Sequence, residues 1–173
     1  GLGVNAVNYA PDMAFILRKD DTQKASRILT GLGIPAEHKK VGMTIIAPMG
    51  YAINKELINR FYDILAKTIE KIVLDMNYDV CIFRQVSGPS PLENDALANQ
   101  HVVKKLEQRV ADHVHLIDKA YPPAILESLY QHMDIFIASR LHSGIFALCQ
   151  NVPTVFIGYL SKTLGVLEPL NLD

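Results

Sequence analysis

Arg140, His142 and Lys162 are the residues whose chemistry first asks for an explanation. A guanidinium grips an oxyanion through two parallel N–H bonds, and an ammonium neutralises one as a point charge. An imidazole side chain takes or gives a proton near neutral pH. Arg140-Leu141-His142-Ser143-Gly144 sits between two apolar pieces, Ile135-Phe136-Ile137-Ala138 and Ile145-Phe146-Ala147-Leu148-Cys149. Lys162 follows a second β-forming run, Thr154-Val155-Phe156-Ile157, with Tyr159 in between. Together these residues suit a small molecule that carries phosphate or carboxylate. The bland alternative is that an Arg and a His at a strand end are surface or capping residues. A polar Arg-x-His wedged between apolar elements argues against it.

The elements that must position these residues read as strand, turn, short helix, strand. Ser143 is placed as the N-cap of the helix, and Asn151 and Pro153 as its stop. A crossover of about a dozen residues is long enough to bring the chain back as a parallel strand. Parallel strands end on one edge, so Arg140 and His142 are expected near Tyr159 and Lys162. Ligands of open α/β sheets bind outside that edge. The N-terminus of the short helix, with Ser143 and Gly144, points there and favours anions.

The same alternation runs through the whole chain. Ala10-Pro11-Asp12-Met13-Ala14-Phe15 reads as a turn into a short apolar piece, with a strand or linker over Val4–Tyr9 before it. A helix follows over Asp20–Leu32, then a strand over Met43–Ala47. Asn54 is placed as the N-cap of a long amphipathic helix whose stripe includes Leu57, Ile58, Phe61, Ile64, Leu65, Ile69, Ile72 and Val73. Asp79–Arg84 reads as a strand, Glu93–Arg109 as a helix, His113–Ile117 as a strand, and Pro122 to His132 as a helix with proline in its first turn. Strands alternating with helices mean βαβ units and a parallel sheet. The expected fold class is therefore α/β, a single Rossmann-like three-layer domain over residues 1–173. Roughly the first 20 residues read as a linker or domain-crossing segment, and the chain ends without a closing element, so it is expected to be a piece of a longer protein.

The loop from Gln85 through Ser87 to Pro91 also follows a strand and should face the ligand edge. Glu93 and Asp95 open the next helix, where the helix N-terminus already favours a carboxylate. The functional alternative is that one of them contacts or deprotonates a sugar hydroxyl. His113 and His115 share a strand face but lack further ligands, so no metal site is expected. His38, His101 and His132 have no motif around them. Gly31-Leu32-Gly33 lies at a helix end, not between strand and helix, which rejects a dinucleotide fingerprint.

Composition bounds the rest. Hydrophobic residues are 49% and charged residues 20% of 173 residues, ample for a core. The net charge of -1 provides no field to recruit nucleic acid. No apolar run approaches the roughly 20 residues of a membrane span. Cys81 and Cys149 read as small buried hydrophobes in a reducing compartment.

From Asp134 to Lys162 the chain resembles the polysaccharide pyruvyl transferase family, on Arg140-Leu141-His142, the Val152-Pro153 step, the strand after it, Tyr159 and Lys162. The likeness extends more loosely to residues 10–15, the Gln85 loop and Asp95. The resemblance implies the C-terminal half of a GT-B-like enzyme, whose N-terminal domain is missing here. It implies transfer of a pyruvyl group from phosphoenolpyruvate to two sugar hydroxyls as a ketal, in cell-surface or exopolysaccharide synthesis. His142 and Lys162 would contact the donor, with Arg140, Ser143, Gly144 and Tyr159 in the same motif. His142 serves either as general acid or as donor-phosphate ligand, with Glu93 or Asp95, Gln85 and Ser87 on the acceptor side. No cofactor is expected beyond the donor substrate. The partners implied are a sugar or lipid-linked saccharide acceptor and the other domain, without which the fragment is expected to be inactive. The implied location is cytoplasmic or peripheral to the membrane. Two other readings compete: a nucleotide-sugar glycosyltransferase or epimerase of the same architecture, and a non-catalytic module binding polysaccharide or protein.

Overall fold

A computed structural model describes residues 10–16, 21–47, 54–88, 93–158 and 161–171. The strand or linker read over Val4–Tyr9 and the side chain of Tyr159 lie outside the described residues. The five described strands are β1 (Lys40–Thr44), β2 (Asp79–Phe83), β3 (Val114–Ile117), β4 (Ile135–Ala138) and β5 (Thr154–Phe156). They form one parallel sheet in the order β3-β2-β1-β4-β5. The order reverses direction between β1 and β4, which makes their carboxyl ends the switch point of the fold.

Seven described α-helices cover the sheet: α1 (Thr22–Gly31), α2 (Lys55–Met76), α3 (Asp95–Val103), α4 (Gln108–Ala111), α5 (Pro123–Tyr130), α6 (Leu141–Cys149) and α7 (Ser161–Leu167). A 3-10 helix over Met13–Ile16 precedes them. One face packs Val41, Met43, Val80 and Ile82 against α2, α3 and α4. The other packs Cys81, Phe83, Phe136 and Ala138 against α1, α5, α6 and the 3-10 helix. Every residue of β1 and β2 is buried, as a parallel sheet covered on both faces requires. On the second face Phe83, Tyr130 and Phe136 make an aromatic cluster with ring centroids 4.4 to 6.0 Å apart.

Helix α2 is fixed by its cap and its stripe. Asn54 accepts the Glu56 N–H at 2.9 Å, and Asn77 closes the other end at φ 56°. Ile58, Tyr62, Leu65, Ile69, Ile72 and Val73 are buried along one side. Leu57 and Ile64, read as part of that stripe, instead lie more than half exposed at 55% and 54%. Each precedes a buried residue and so stands about 100° around the axis from it, and an exposed leucine alone carries no penalty large enough to rotate a helix.

The boundaries move in three further places. β1 begins at Lys40, ahead of the expected strand, and ends at Thr44, because Asp134 receives the Lys40 N–H at 2.7 Å and starts the ladder early. The helix read over Glu93–Arg109 breaks into α3 and α4 between Val103 and Gln108. Helix α6 begins at Leu141 with Arg140 as its cap residue, so Ser143 is not the N-cap. No helix among the described residues is long and apolar enough to cross a membrane.

Candidate functional site

The switch point is laced by hydroxyls. Ser143 donates to the Arg140 carbonyl at 2.7 Å, turning back one helical turn rather than capping it. Its single hydrogen is thereby used, so the Thr44 hydroxyl, 2.7 Å away, donates to Ser143. Thr44 accepts the Ser139 N–H at 3.3 Å, while the Ser139 hydroxyl donates to the Thr44 carbonyl at 2.7 Å and accepts the Ile46 N–H at 2.8 Å. All three hydroxyl residues are buried. β1, β4 and α6 are tied together where their ends meet.

Above this lacing lies Asp95, the first residue of α3, fully buried at 0% exposure. Arg140 meets it through Nη2 at 2.6 Å and Nε at 3.3 Å. The Val86 N–H at 2.9 Å and the Ala47 N–H at 3.3 Å complete four donors on one carboxylate. The loops after β1, β2 and β4 therefore converge on Asp95. This corrects two expectations. The guanidinium edge assigned to a donor oxyanion is occupied by a protein carboxylate, and Asp95 has no free face for a sugar hydroxyl. A buried carboxylate needs such pairing, since ionised groups leave water at high cost.

Burial, and then the negative charge of Asp95, push the Tyr130 hydroxyl well above its usual value and that of Tyr62 up to about 12. Both tyrosines stay protonated. Tyr130 donates its hydrogen to Gln85 Oε1 at 2.6 Å, so Gln85 is anchored to the core rather than turned outward. Ser87 is exposed in the same loop, and Gly88 follows at φ 66°. Glu93 is partly exposed at the entrance to α3 and makes no hydrogen bond with the described residues.

His142 stands in the first turn of α6 with its side chain 56% exposed. Its Nε2 lies 3.6 Å from Asp12 Oδ2. Asp12 comes from the segment ahead of the 3-10 helix, and its Oδ1 accepts the Ala14 N–H at 2.9 Å. A cleft of about 450 Å³ opens between them, lined by Asp12, Met13, Ala14, Ile16, His142 and Phe146. Sequence reasoning placed residues 10–15 in a turn but missed Asp12 as a partner of His142. No local spacing links two residues that lie at opposite ends of the chain.

Gly144 has a packing reason for lacking a side chain. A Cβ there would run into the Phe156 ring of β5. It is the seat of α6 on the sheet and not an open donor-binding position. Lys162 is exposed in the first turn of α7 and makes no ion pair with any described carboxylate. Arg140 is thus drawn to Asp95 and His142 to Asp12, while Lys162 stays in solvent.

At the opposite edge of the sheet, three histidines converge on Asp79. His38 Nδ1 and His115 Nε2 lie 3.0 and 3.3 Å from its Oδ2, and His113 Nδ1 lies 2.9 Å from its Oδ1. His38 and His113 had no assigned partner in the sequence. Parallel pairing of β2 with β3 and with β1 supplies it. No group of described residues is arranged to hold a metal ion.

The profile of the polysaccharide pyruvyl transferase family matches residues 1–161. The chain belongs to that family. Among solved structures, this pyruvyl transferase family member is similar to the crystal structure of the glycosyl transferase family 9 from Veillonella parvula DSM 2008, with a TM-score of 0.53 and 16% identity. The likeness covers 78% of this chain and 34% of that one, so the chain spans about a third of the neighbour's length. At that identity it establishes a shared GT-B-like fold and nothing of substrate. Comparison with curated proteins finds no match.

Proposed function

We propose that this chain is the donor-binding half of a transferase that moves the pyruvyl group of phosphoenolpyruvate onto two hydroxyls of a saccharide. The observation that carries the reading is the family match over residues 1–161. The site geometry supports it: an accessible imidazole, His142, opens on a cleft at the carboxyl edge of the sheet. The reaction would begin with a proton delivered to C3 of the enol. C2 then becomes electrophilic and is attacked in turn by two hydroxyls, each losing a proton, while the C2–O bond to phosphate breaks. One proton gained at C3 and two lost from the hydroxyls balance with release of hydrogen phosphate.

In this reading His142 delivers or removes a proton, as an imidazole can at neutral pH. Lys162, exposed in the first turn of α7, supplies the positive charge for the donor's phosphate or carboxylate. Arg140 and Asp95 act together as the frame that fixes the three loops. Ser87 and Glu93 remain on the acceptor side, and the acceptor is a sugar or lipid-linked saccharide used in polysaccharide assembly on the cytoplasmic side of a membrane. The isolated chain is inactive or nearly so, because positioning the acceptor needs a second domain.

The test is made in the intact native protein. His142→Ala should lower kcat/KM by about 100- to 10,000-fold, the usual worth of a general acid or base. Because its side chain is 56% exposed, folding should be unchanged by circular dichroism and melting temperature. Retained turnover would remove His142 from the chemistry. Calorimetric titration with phosphoenolpyruvate and with UDP addresses the donor, and tighter UDP binding would overturn the pyruvyl reading in favour of a nucleotide-sugar transferase.

A further inference from the structure

We propose that Asp12 is the positioning residue of His142: its carboxylate holds the proton on Nε2 and leaves Nδ1 as the nitrogen that exchanges a proton with substrate in the adjoining cleft. The inference rests on the pyruvyl transfer reading for the identity of the substrate, but not for the pairing itself.

The 3-10 helix Met13–Ile16 is held on the body of the domain. Ala14 is buried at 7% exposure, Phe15 packs against the core of that face, and the Phe15 carbonyl lies 3.9 Å from Cys149 Sγ at the far end of α6. Asp12 is itself locked, since the Ala14 N–H takes Oδ1 and leaves Oδ2 as the oxygen nearest Nε2. An ionised carboxylate only accepts, so the ring nitrogen facing it is the one that carries hydrogen. A neutral imidazole with hydrogen on Nε2 has its lone pair on Nδ1. The separation of 3.6 Å is longer than a formed hydrogen bond, as is common before substrate closes a site. A carboxylate behind a catalytic imidazole sets the tautomer and ring orientation; its loss costs about 10,000-fold in a tightly formed buried triad and about 10- to 100-fold behind metal-bound histidines, and the exposed, 3.6 Å pair here belongs at the lower end.

Asp12→Asn is the decisive variant because it preserves the fold. The amide oxygen can still accept the Ala14 N–H, which leaves the amide nitrogen, a donor, facing His142. The tautomer should then invert. In the intact protein labelled with nitrogen-15 at histidine, long-range correlation spectra should show His142 with hydrogen on Nε2 in the wild type and on Nδ1 in Asp12→Asn. With phosphoenolpyruvate and acceptor, kcat should fall about 10- to 100-fold with KM for phosphoenolpyruvate nearly unchanged. Asp12→Glu should recover part of the loss. The double variant Asp12→Asn/His142→Ala should be no slower than His142→Ala alone, since residues acting as a unit are not additive. Identical tautomer spectra in wild type and Asp12→Asn, or an additive loss in the double variant, would overturn the proposal. The spectra need no substrate, so they decide the pairing even if phosphoenolpyruvate proves not to be the donor.

Discussion

Two buried aspartates sit at opposite edges of one sheet and are neutralised in different ways. Asp95, at the carboxyl edge, is held by the permanently charged Arg140 and two backbone N–H groups. Asp79, at the amino edge, is held by three imidazoles that can gain or lose charge. The partner in the first arrangement keeps its charge at any ordinary pH. The second is tied to the proton concentration around it. The fold places the inflexible pairing beneath the candidate site and the adjustable one at the far end.

The comparison can be broken at three points. Asp95→Ala should have the largest effect, a loss of about 3 kcal/mol of stability, because it leaves a mostly buried guanidinium and two loop N–H groups without their partner. Urea denaturation measures it, and a loss below 1 kcal/mol would mean that the pair does not organise the loops. Asp79→Ala should cost less, about 1–3 kcal/mol, because the histidines it abandons can stay neutral while losing hydrogen-bond partners. Equal losses in the two variants would erase the distinction between a fixed and a titratable partner.

The smallest effect is a slope. Burial opposes ionisation of Asp79, but hydrogen bonds from His113, His38 and His115 outweigh it and hold the carboxyl below its usual value of 3.8. A carboxyl lowered by folding adds stability that is complete above its unfolded value and is lost as pH falls through the folded one. Melting temperature in the wild type should therefore drop as pH falls below about 4, the free aspartate range. In Asp79→Asn the curve should start lower at neutral pH and fall less steeply in acid. Parallel curves would show that the three histidines do not stabilise the charged carboxylate.

What the residues revealed, and what they hid, follows from the range over which each interaction acts. The order of strands and helices was legible because apolar periodicity and caps such as Asn54 are local. Asn151 shows the same: it leaves α6 at φ 58°, a conformation that suits asparagine and ends a helix. The motif Arg140-Leu141-His142 was legible as chemistry, since polar residues inside an apolar run need a reason. Its partners were not. Asp95 and Asp12 lie 45 and 130 positions away in sequence; the parallel pairing of β2, β1 and β4 brings Asp95 to Arg140, and the packing of the 3-10 helix on α6 brings Asp12 to His142. Arg140 therefore looked like a ligand-binding group when its bidentate edge was already engaged. Gly144 likewise looked like an approach for substrate, and the reason for it, the ring of Phe156, belongs to a strand not yet formed when that glycine is read.

The stitching of Thr44, Ser139 and Ser143 has a mechanical consequence. Each hydroxyl hydrogen is committed to one acceptor, so the ends of the two central strands cannot part without breaking several bonds in a dry place. A ligand settling at this edge rests on an inelastic floor, and any closing motion over it must come from the walls.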